Sequence, residues 1–397
     1  MIRLAVRMLV GDATKWLGVV LGVLFCTFLT THMLSMFAGM MERSFALITD
    51  IPQADIWVMD PTVEYVDEPA GLPATALDRT RSVPGVKWAV PLYTGTLRAR
   101  LPSGQFRGVL VIGIDDATLI GAPERIVRGD VRSLRDAESV IADTEGARLL
   151  LRMPLELPEH RPGWNMPDLK VPTRPLVVGD ELLVNDHRLV VAGLAELGAR
   201  FLSKPILYMT YSRARQIAPP ERNLLSYVLV KAADGEDHRA LAERIQRSTG
   251  LRARPRIAFE EDTFWYYVRT TGVVGRIGFM VSLAVVVGAL VSGLLLYLFT
   301  ADNLRYYATL KALGAGDAMV VKMVLAQAAV CGVVGFGTGV GLSVLLSRLM
   351  STRAMPYLLM WPTLGFSAAV VIVVSALSAL LSARSVIRLE PGMVFRA

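Results

Sequence analysis

The sequence predicts an α-helical membrane protein with four transmembrane helices and a large mixed α/β extracytoplasmic domain between helices 1 and 2. Three observations lead to this fold class. Of the 397 residues, 53% are hydrophobic and only 19% are charged, whereas a soluble domain carries about a quarter charged residues. The hydrophobic residues concentrate in four long runs. A more polar stretch of domain length separates the first run from the second.

Each of the four runs is long enough to cross a bilayer as a helix. A spanning helix needs about 20 mostly apolar residues, because each residue advances ~1.5 Å through a hydrocarbon core of ~30 Å. The predicted spans are residues 16–41, 273–300, 319–348 and 363–384. The first run has no Asp, Glu, Lys or Arg. It is longer than the ~7–15-residue apolar core of a secretory signal, so we interpret it as an uncleaved anchor.

Basic residues near the span ends predict the orientation, because Lys and Arg concentrate on the cytoplasmic side. An even number of spans places both termini on one side. The basic residues at the termini and between the second and third spans are Arg3, Arg7, Lys15, Arg305, Lys311, Lys322, Arg384, Arg388 and Arg396. Arg348 and Arg353 oppose this bias. We therefore expect residues 1–15, 301–317 and 385–397 in the cytoplasm, and residues 42–270 and the short loop 349–362 outside it.

The segment 42–270 predicts two β-hairpins. Residues 96–115 alternate in polarity around a Pro-Ser-Gly turn, a pattern typical of two paired strands. Residues 177–196 predict a second hairpin that turns at Asn185 and Asp186.

Other parts of this segment predict a strand, a helix and a loop. Residues 54–60 alternate like a strand, and residues 234–250 predict a helix that stops at Gly250. Proline recurs too often in residues 151–175 for a helix or a central strand. That stretch is either a surface insertion, which we favour, or a loop that contacts a partner.

The sequence contains no motif that predicts catalysis, a metal site or nucleotide binding. His160, His187 and His238 lack the spacing of metal ligands, and the serine-hydrolase and zinc-protease motifs are absent. Because the sequence also lacks G-x-x-x-x-G-K-[ST], we expect no enzyme activity and no cofactor bound by this chain. We interpret the net charge of +7 as a result of the basic residues that set the membrane orientation. No basic cluster of the kind that binds nucleic acid stands out, so we expect no nucleic-acid partner. Cys26 and Cys331 lie in predicted spans as small apolar residues.

A short polar segment, residues 301–317, connects the second predicted span to the third. The helical spacing of Tyr307, Leu310 and Lys311 predicts a helix with one largely apolar face. Gly314 predicts a left-handed cap at its end. Such a helix at a membrane surface fits either a groove on a partner protein or the lipid headgroups, and periodicity alone does not decide between them.

Four stretches carry a family resemblance. Residues 305–315 read RYYATLKALGA, residues 388–396 read RLEPGMVFR, residues 82–91 read SVPGVKWAVP, and residues 177–193 read VVGDELLVNDHRLVVAG. These resemble the Arg-Glu-Ile-Gly-x-Leu-Lys/Arg-Ala-Leu-Gly-Ala segment, the Arg-Leu-x-Pro ending and two outer motifs of the FtsX/MacB-like superfamily of ABC transporter permeases. Tyr306 stands where many members have Glu. The Tyr-Ala-Thr-Leu-Lys-Ala sequence of residues 307–312 looks closer to the DevC-type exporter branch.

The resemblance implies a permease subunit in the bacterial inner membrane that works by mechanotransmission. A separate ABC ATPase subunit would carry ATP-Mg and drive motion of the periplasmic domain. The segment 301–317 would be the coupling helix, which docks the ATPase. Its docking residues would be Arg305, Tyr306, Tyr307, Thr309, Leu310, Lys311, Leu313 and Gly314.

The resemblance also implies further partners. These are the lipid membrane and a second permease copy, with which the chain would form a homodimer. A periplasmic adaptor with an outer-membrane channel is also compatible with the family. Export of a lipid-like or hydrophobic substrate with such an adaptor is the first expected function. The alternatives are an FtsX-like regulator of a periplasmic enzyme, a lipoprotein-release permease, and a membrane receptor without an ATPase.

Glycines in the third predicted span provide small-xxx-small pairs that allow close helix approach. They are Gly335, Gly337, Gly339 and Gly341. They predict either a seam between two copies or packing within one subunit, and both interpretations stay open. Residues 1–15 predict an interfacial helix with Arg3 and Arg7 on its polar face. Residues 41–50 and 259–276 are expected to continue helices beyond the membrane.

Overall fold

The structure is a computed structural model that describes residues 2–155, 172–198, 200, 204–219, 225–350 and 356–387. The chain divides into two compact units. One comprises Met1–Met40 with Thr271–Ala397, and the other is Met41–Thr270.

The helices, in chain order, are α1 (Ile2–Gly11), α2 (Ala13–Ser44), α3 (Ala46–Thr49), α4 (Thr75–Arg81), α5 (Thr144–Leu149), α6 (Tyr211–Ile217), α7 (His238–Thr249), α8 (Arg256–Thr270), α9 (Val273–Asp302), α10 (Leu304–Ala312), α11 (Asp317–Met350) and α12 (Trp361–Ile387). The strands are β1 (Ile56–Met59), β2 (Val86–Arg100), β3 (Phe106–Ile114), β4 (Ile126–Arg128), β5 (Ser139–Asp143), β6 (Met153–Pro154), β7 (Thr173–Arg174), β8 (Glu181–Val184), β9 (His187–Ala195), β10 (Ile206–Thr210), β11 (Tyr227–Ala232) and β12 (Arg252–Pro255).

Four of the helices in the described ranges, α2, α9, α11 and α12, are long and apolar enough to cross a membrane. They begin and end within three residues of the predicted spans. One of these helices precedes the unit Met41–Thr270 and three follow it. Their charge-free runs are longer than most helices of a soluble core need.

A ten-stranded sheet organises the unit Met41–Thr270. Its strands lie in the order β12-β1-β11-β2-β3-β10-β5-β9-β4, and β8 pairs with both β2 and β9. The pairs β3–β10 and β5–β9 are parallel, and the other pairs of this sheet are antiparallel. The unit is thus the expected mixed α/β domain.

Both predicted hairpins are confirmed. β2 and β3 pair from Tyr93 to Arg100, and their connection turns at Gly104, where φ is +81°. β8 and β9 join through Asn185 and Asp186, whose φ values of 49° and 64° are the pair that a tight two-residue hairpin turn requires.

The predicted helix at 234–250 is confirmed as α7. Asp237 accepts a hydrogen bond from the Ala240 N–H at its start, and Gly250 ends it with φ +71°. Both caps satisfy backbone groups that a helix end leaves unpaired.

Two expectations differ from the structure. Strand β1 is buried on both faces instead of alternating. Its Trp57 faces one hydrophobic cluster, which includes Phe259 of α8, and its Val58 faces another, which includes Leu241 of α7. The expected continuation through 259–276 is also interrupted, since α8 ends at Thr270 and α9 begins after Gly272, where φ is +64°.

Some expectations fall outside the described residues. Most of the proline-rich stretch, 156–171, is among them, although short strands β6 and β7 pair on either side of it. So are residues 351–355 of the predicted short loop and the ending 388–397.

Candidate functional site

The segment 301–317 folds as the short helix α10 between α9 and α11. Its end follows the predicted cap: Gly314 has φ +97°. The Gly314 N–H donates to the Lys311 carbonyl and the Ala315 N–H to the Leu310 carbonyl, each at 3.0 Å. This pair of bonds is the Schellman arrangement, and glycine adopts it without a side-chain penalty.

The inner face of α10 packs against the chain's own helices. Tyr307 and Ala308 are fully buried, and Leu310 is half-buried against a cluster that includes Leu9 of α1 and Phe299 of α9. The apolar face of α10, which we expected to contact a partner protein or lipid, is therefore largely covered by other helices of this chain.

A hydrogen-bonded chain fixes this inner face. The Tyr307 hydroxyl donates to Gln327 Oε1 of α11 at 3.0 Å, and Gln327 Nε2 donates to the Ala5 carbonyl of α1, also at 3.0 Å. All of these groups are buried. Burial raises the pKa of Tyr307 above its ordinary value, so the hydroxyl keeps its proton as donor. Three helices are thereby joined by two bonds.

Charged pairs hold the two ends of α10. Lys311 lies 2.8 Å from Asp317 of α11, and its side chain is only 10% exposed. Before α10, Lys15 of α2 pairs with Asp302 at the end of α9 and with Asp12. The predicted role of Lys311 as a docking group thus has a competing contact inside the chain.

The outer face of α10 is open. Tyr306 is 65% exposed and Leu313 80% exposed, and Arg305, Thr309 and Gly314 are also exposed. The eight predicted docking residues consequently separate into an exposed group and an inward group of Tyr307, Leu310 and Lys311. Exposed apolar side chains mark a protein or membrane contact where they form one contiguous patch.

The glycines of α11 divide between two faces of the helix. A Cβ at Gly335 would lie 2.7 Å from Val23 Cβ, and one at Gly339 would lie 2.7 Å from Thr27 Cβ. Those two glycines pack against α2 of the same chain. Around Gly337 and Gly341 nothing in the described residues lies within 4 Å of an added Cβ.

Polar side chains within the long helices connect neighbouring helices. Thr31 of α2 donates to Ser367 of α12 at 3.0 Å. His32 Nδ1 lies 3.3 Å from the Ser343 hydroxyl of α11, and its ring stacks on Phe28. Interhelical bonds of this kind stabilise helix bundles in membranes.

Sequence reasoning missed Gln327 and Ala5 as parts of this site. A single glutamine in an otherwise apolar run is a signal, because a buried amide needs partners. Among the described residues, no group of three or more His, Cys, Asp or Glu side chains is arranged to hold a metal ion.

Two family models match the chain. The model of the MacB-like periplasmic core domain matches residues 16–248, more than half of the chain, and the model of the FtsX-like permease C-terminal matches residues 278–391. The class is thus a membrane permease with a periplasmic domain. The chain belongs to the FtsX/MacB-like family of ABC transporter permeases, whose members work with ABC ATPase partners and normally lack a catalytic site of their own.

Similar solved structures are outer domains. The extracellular domain of the noncanonic ABC-type transporter YknZ from Gram-positive bacteria has 13% identity and a TM-score of 0.33, covering 51% of this chain and 98% of that one. The periplasmic region of MacB from Actinobacillus actinomycetemcomitans has 11% identity and a TM-score of 0.35, covering 54% and 96%. These values are low, and the family assignment rests on the two family models. No curated protein sequence matches the chain.

Proposed function

We propose that this chain is the transmembrane subunit of an inner-membrane ABC transporter that couples ATP hydrolysis on a separate ATPase to motion of its periplasmic domain. The observation that carries the proposal is the two-sided character of α10. Its outer face exposes Tyr306 and Leu313, while its inner face is bonded to α11 and α1. A helix of this kind transmits a push on its outer face to the helices behind it.

The route of the force follows the contacts. The ATPase docks on Arg305, Tyr306, Thr309 and Leu313 from the cytoplasm. Movement of α10 then acts on α11 through Tyr307 and Gln327, and on α1 through the bond from Gln327 to Ala5. Because buried side chains interdigitate closely, such a displacement is not absorbed locally.

We propose a lipid-like or hydrophobic cargo, exported with a periplasmic adaptor. Two hydroxyl groups of the spanning helices, those of Thr31 and Ser382, bond to neighbouring helices, so neither is available to a hydrophilic cargo. An apolar groove of about 360 Å³ between α11 and α12, lined by residues such as Val333, Phe336 and Ile372, also suits apolar chains.

Cells that express the complex should lose a hydrophobic dye faster than cells without it. Faster loss of a charged hydrophilic dye alone would contradict this cargo class.

A second copy of the chain completes the proposed complex. The open surface around Gly337 and Gly341 supports a seam there, since two glycines one turn apart let helix backbones approach closely. Gly335 and Gly339 are not available for it because α2 covers them.

Leu313→Asp tests the proposed docking. A carboxylate facing an apolar groove loses its water without gaining a partner, which costs several kcal/mol. We expect at least a tenfold loss of ATPase co-purified with the permease, with insertion and folding unchanged because Leu313 is exposed.

Two variants serve as controls. Leu313→Met keeps an apolar side chain and should keep the ATPase. Val10→Asp introduces the same carboxylate at an exposed site on α1 and should also keep it. If α10 only lies on lipid, Leu313→Asp will retain the ATPase with normal ATP turnover, and the docking proposal fails.

A further inference from the structure

An exposed patch on the β2–β3 hairpin combines two arginines with one aromatic ring. Arg98 and Arg100 lie two residues apart on β2 and are both exposed. Their guanidinium carbons lie 4.7 Å and 5.8 Å from the centroid of the Phe106 ring on β3. Phe106 is itself 54% exposed. Stacking on a ring holds a guanidinium in place and leaves its N–H groups available.

This patch has no neutralising carboxylate within the described parts of the chain. Neither Arg98 nor Arg100 forms an ion pair there. Arg188, two strands further along the same face, is by contrast held by Glu181 and by Glu138, the latter at 2.8 Å. Lys204 adds a third cation beside the patch, since its ammonium donates to Thr96 at 3.2 Å.

Gly108 leaves a notch in the centre of the patch. It pairs with Arg98 across the hairpin and stands between Phe106 and Leu110 on β3. An added Cβ would meet only the Thr96 methyl group, at 3.9 Å, and the backbone φ of Gly108 is not positive. The fold therefore does not require glycine here. Glycine weakens a strand, and an exposed one often marks a place where another backbone comes close.

We propose that Arg98, Arg100, Phe106 and Gly108 form a docking surface for an extended acidic segment of a partner protein outside the membrane. Side chains on one face of a strand repeat every ~6.8 Å. Two carboxylates separated by one residue in an extended segment therefore match the spacing of Arg98 and Arg100. The segment's backbone lies over Gly108, and each carboxylate accepts bonds from one guanidinium.

The proposed docking surface depends on the proposed function in one respect, namely that the domain contacts a partner outside the membrane. It does not involve α10 or the ATPase. The chemistry favours a protein segment over a lipid surface, because a notch beside a ring fits one extended chain, whereas headgroups need only positive charge.

The test measures binding of short fluorescent peptides to the purified full-length chain in detergent. The probe peptide carries Glu-x-Glu between Gly/Ser flanks, and matched peptides carry Lys-x-Lys or two adjacent Glu. We expect the wild-type chain to prefer Glu-x-Glu. The double variant Arg98→Glu, Arg100→Glu should weaken that binding at least tenfold.

Two further variants separate a built surface from general attraction. Arg107→Glu reverses one exposed charge on the neighbouring position of β3, which pairs with buried Ala99, and should change binding less than twofold. Gly108→Val fills the notch, suits a strand and changes no charge, so it should weaken binding about tenfold while thermal unfolding stays as in the wild type.

Three results would overturn the proposal. The first is equal loss of binding in Arg107→Glu, and the second is unchanged binding in Gly108→Val. The third is binding of phosphatidylglycerol vesicles, with no peptide binding, that depends on Arg98 and Arg100, which would assign the patch to lipid. None of these results bears on ATPase docking at α10.

Discussion

The Tyr307 hydroxyl connects α10 to α11 through Gln327, which in turn bonds to Ala5 of α1. In Tyr307→Phe the Gln327 Oε1 atom stays buried without its donor, and an unsatisfied buried acceptor costs about 1–3 kcal/mol. We expect a lower melting temperature of the purified chain in detergent. Tyr306→Phe removes a hydroxyl from an exposed neighbour and should change the free energy of unfolding by less than ~0.5 kcal/mol. Equal melting temperatures for the two variants would show that the Tyr307 bond does not stabilise the bundle.

We expect Asp67 to make the stability of the periplasmic domain depend on pH. Burial raises the pKa of Asp67 above its ordinary value, although the Tyr267 hydroxyl donates to the carboxylate at 2.7 Å and Arg200 favours the charged form. A raised pKa means that the folded domain binds the proton more tightly than the unfolded chain does. The stabilising contribution is therefore present below the ordinary pKa of about 3.9 and is lost as the pH rises through the higher folded value.

Asp67→Asn tests this sign. The amide oxygen still accepts from Tyr267, and no charge is buried at neutral pH. We expect the variant to melt at a higher temperature than the wild type at pH 7 and to lose that advantage near pH 4. A wild-type chain that gains stability relative to Asp67→Asn as the pH rises would contradict the assignment.

At the scale of elements, helix α11 presents two glycine faces with different predicted roles. Gly335→Leu drives a side chain into α2, since even a Cβ would lie 2.7 Å from Val23 Cβ. Overpacking of this kind costs about 1–3 kcal/mol or more, so the single chain should unfold at a lower temperature. Gly337→Leu meets open space. It should leave that temperature unchanged and reduce the fraction of dimers in cross-linking.

The two glycine variants also make the seam proposal refutable. An unchanged dimer fraction in Gly337→Leu would exclude the Gly337 face as the contact between copies.

The sequence left open whether these glycines form a seam between copies or pack within one subunit, because a period of two places them on more than one face of a helix. Only the position of α2 distinguishes the faces.

Local signals predicted many elements, and long-range packing explains the rest. The turn at Asn185 and Asp186, the cap at Gly250 and the cap at Gly314 all depend on local chemistry, and all are confirmed. Strand β1 differed because the residues that cover its two faces, such as Phe259 and Leu241, lie far away in sequence.

The inward face of α10 shows the same limit at the site. Periodicity finds the apolar stripe with Tyr307 and Leu310, but it does not say what covers that stripe. In the structure, residues of α1, α9 and α11 cover it. Exposed Leu313 is hence a better probe of docking than Leu310.

At the scale of the whole molecule, we propose that α10 and the β2–β3 hairpin lie on opposite sides of the membrane. Cysteine chemistry can distinguish these sides after Cys26 and Cys331, both buried in the helical unit, are replaced by alanine. Arg107 is a suitable outer position because it is exposed, whereas Gly104 in the neighbouring turn has φ +81° and disfavours a side chain.

Docking of the ATPase on α10 is tested by site-specific cross-linking of Leu313→Cys to the ATPase subunit in this cysteine-free background. We expect Leu313→Cys to cross-link to the ATPase in membranes, while Arg107→Cys reacts only with a reagent added from outside and never with the ATPase. Labelling of Leu313→Cys from outside, or a complex that co-purifies intact without any cross-link at position 313, would contradict it.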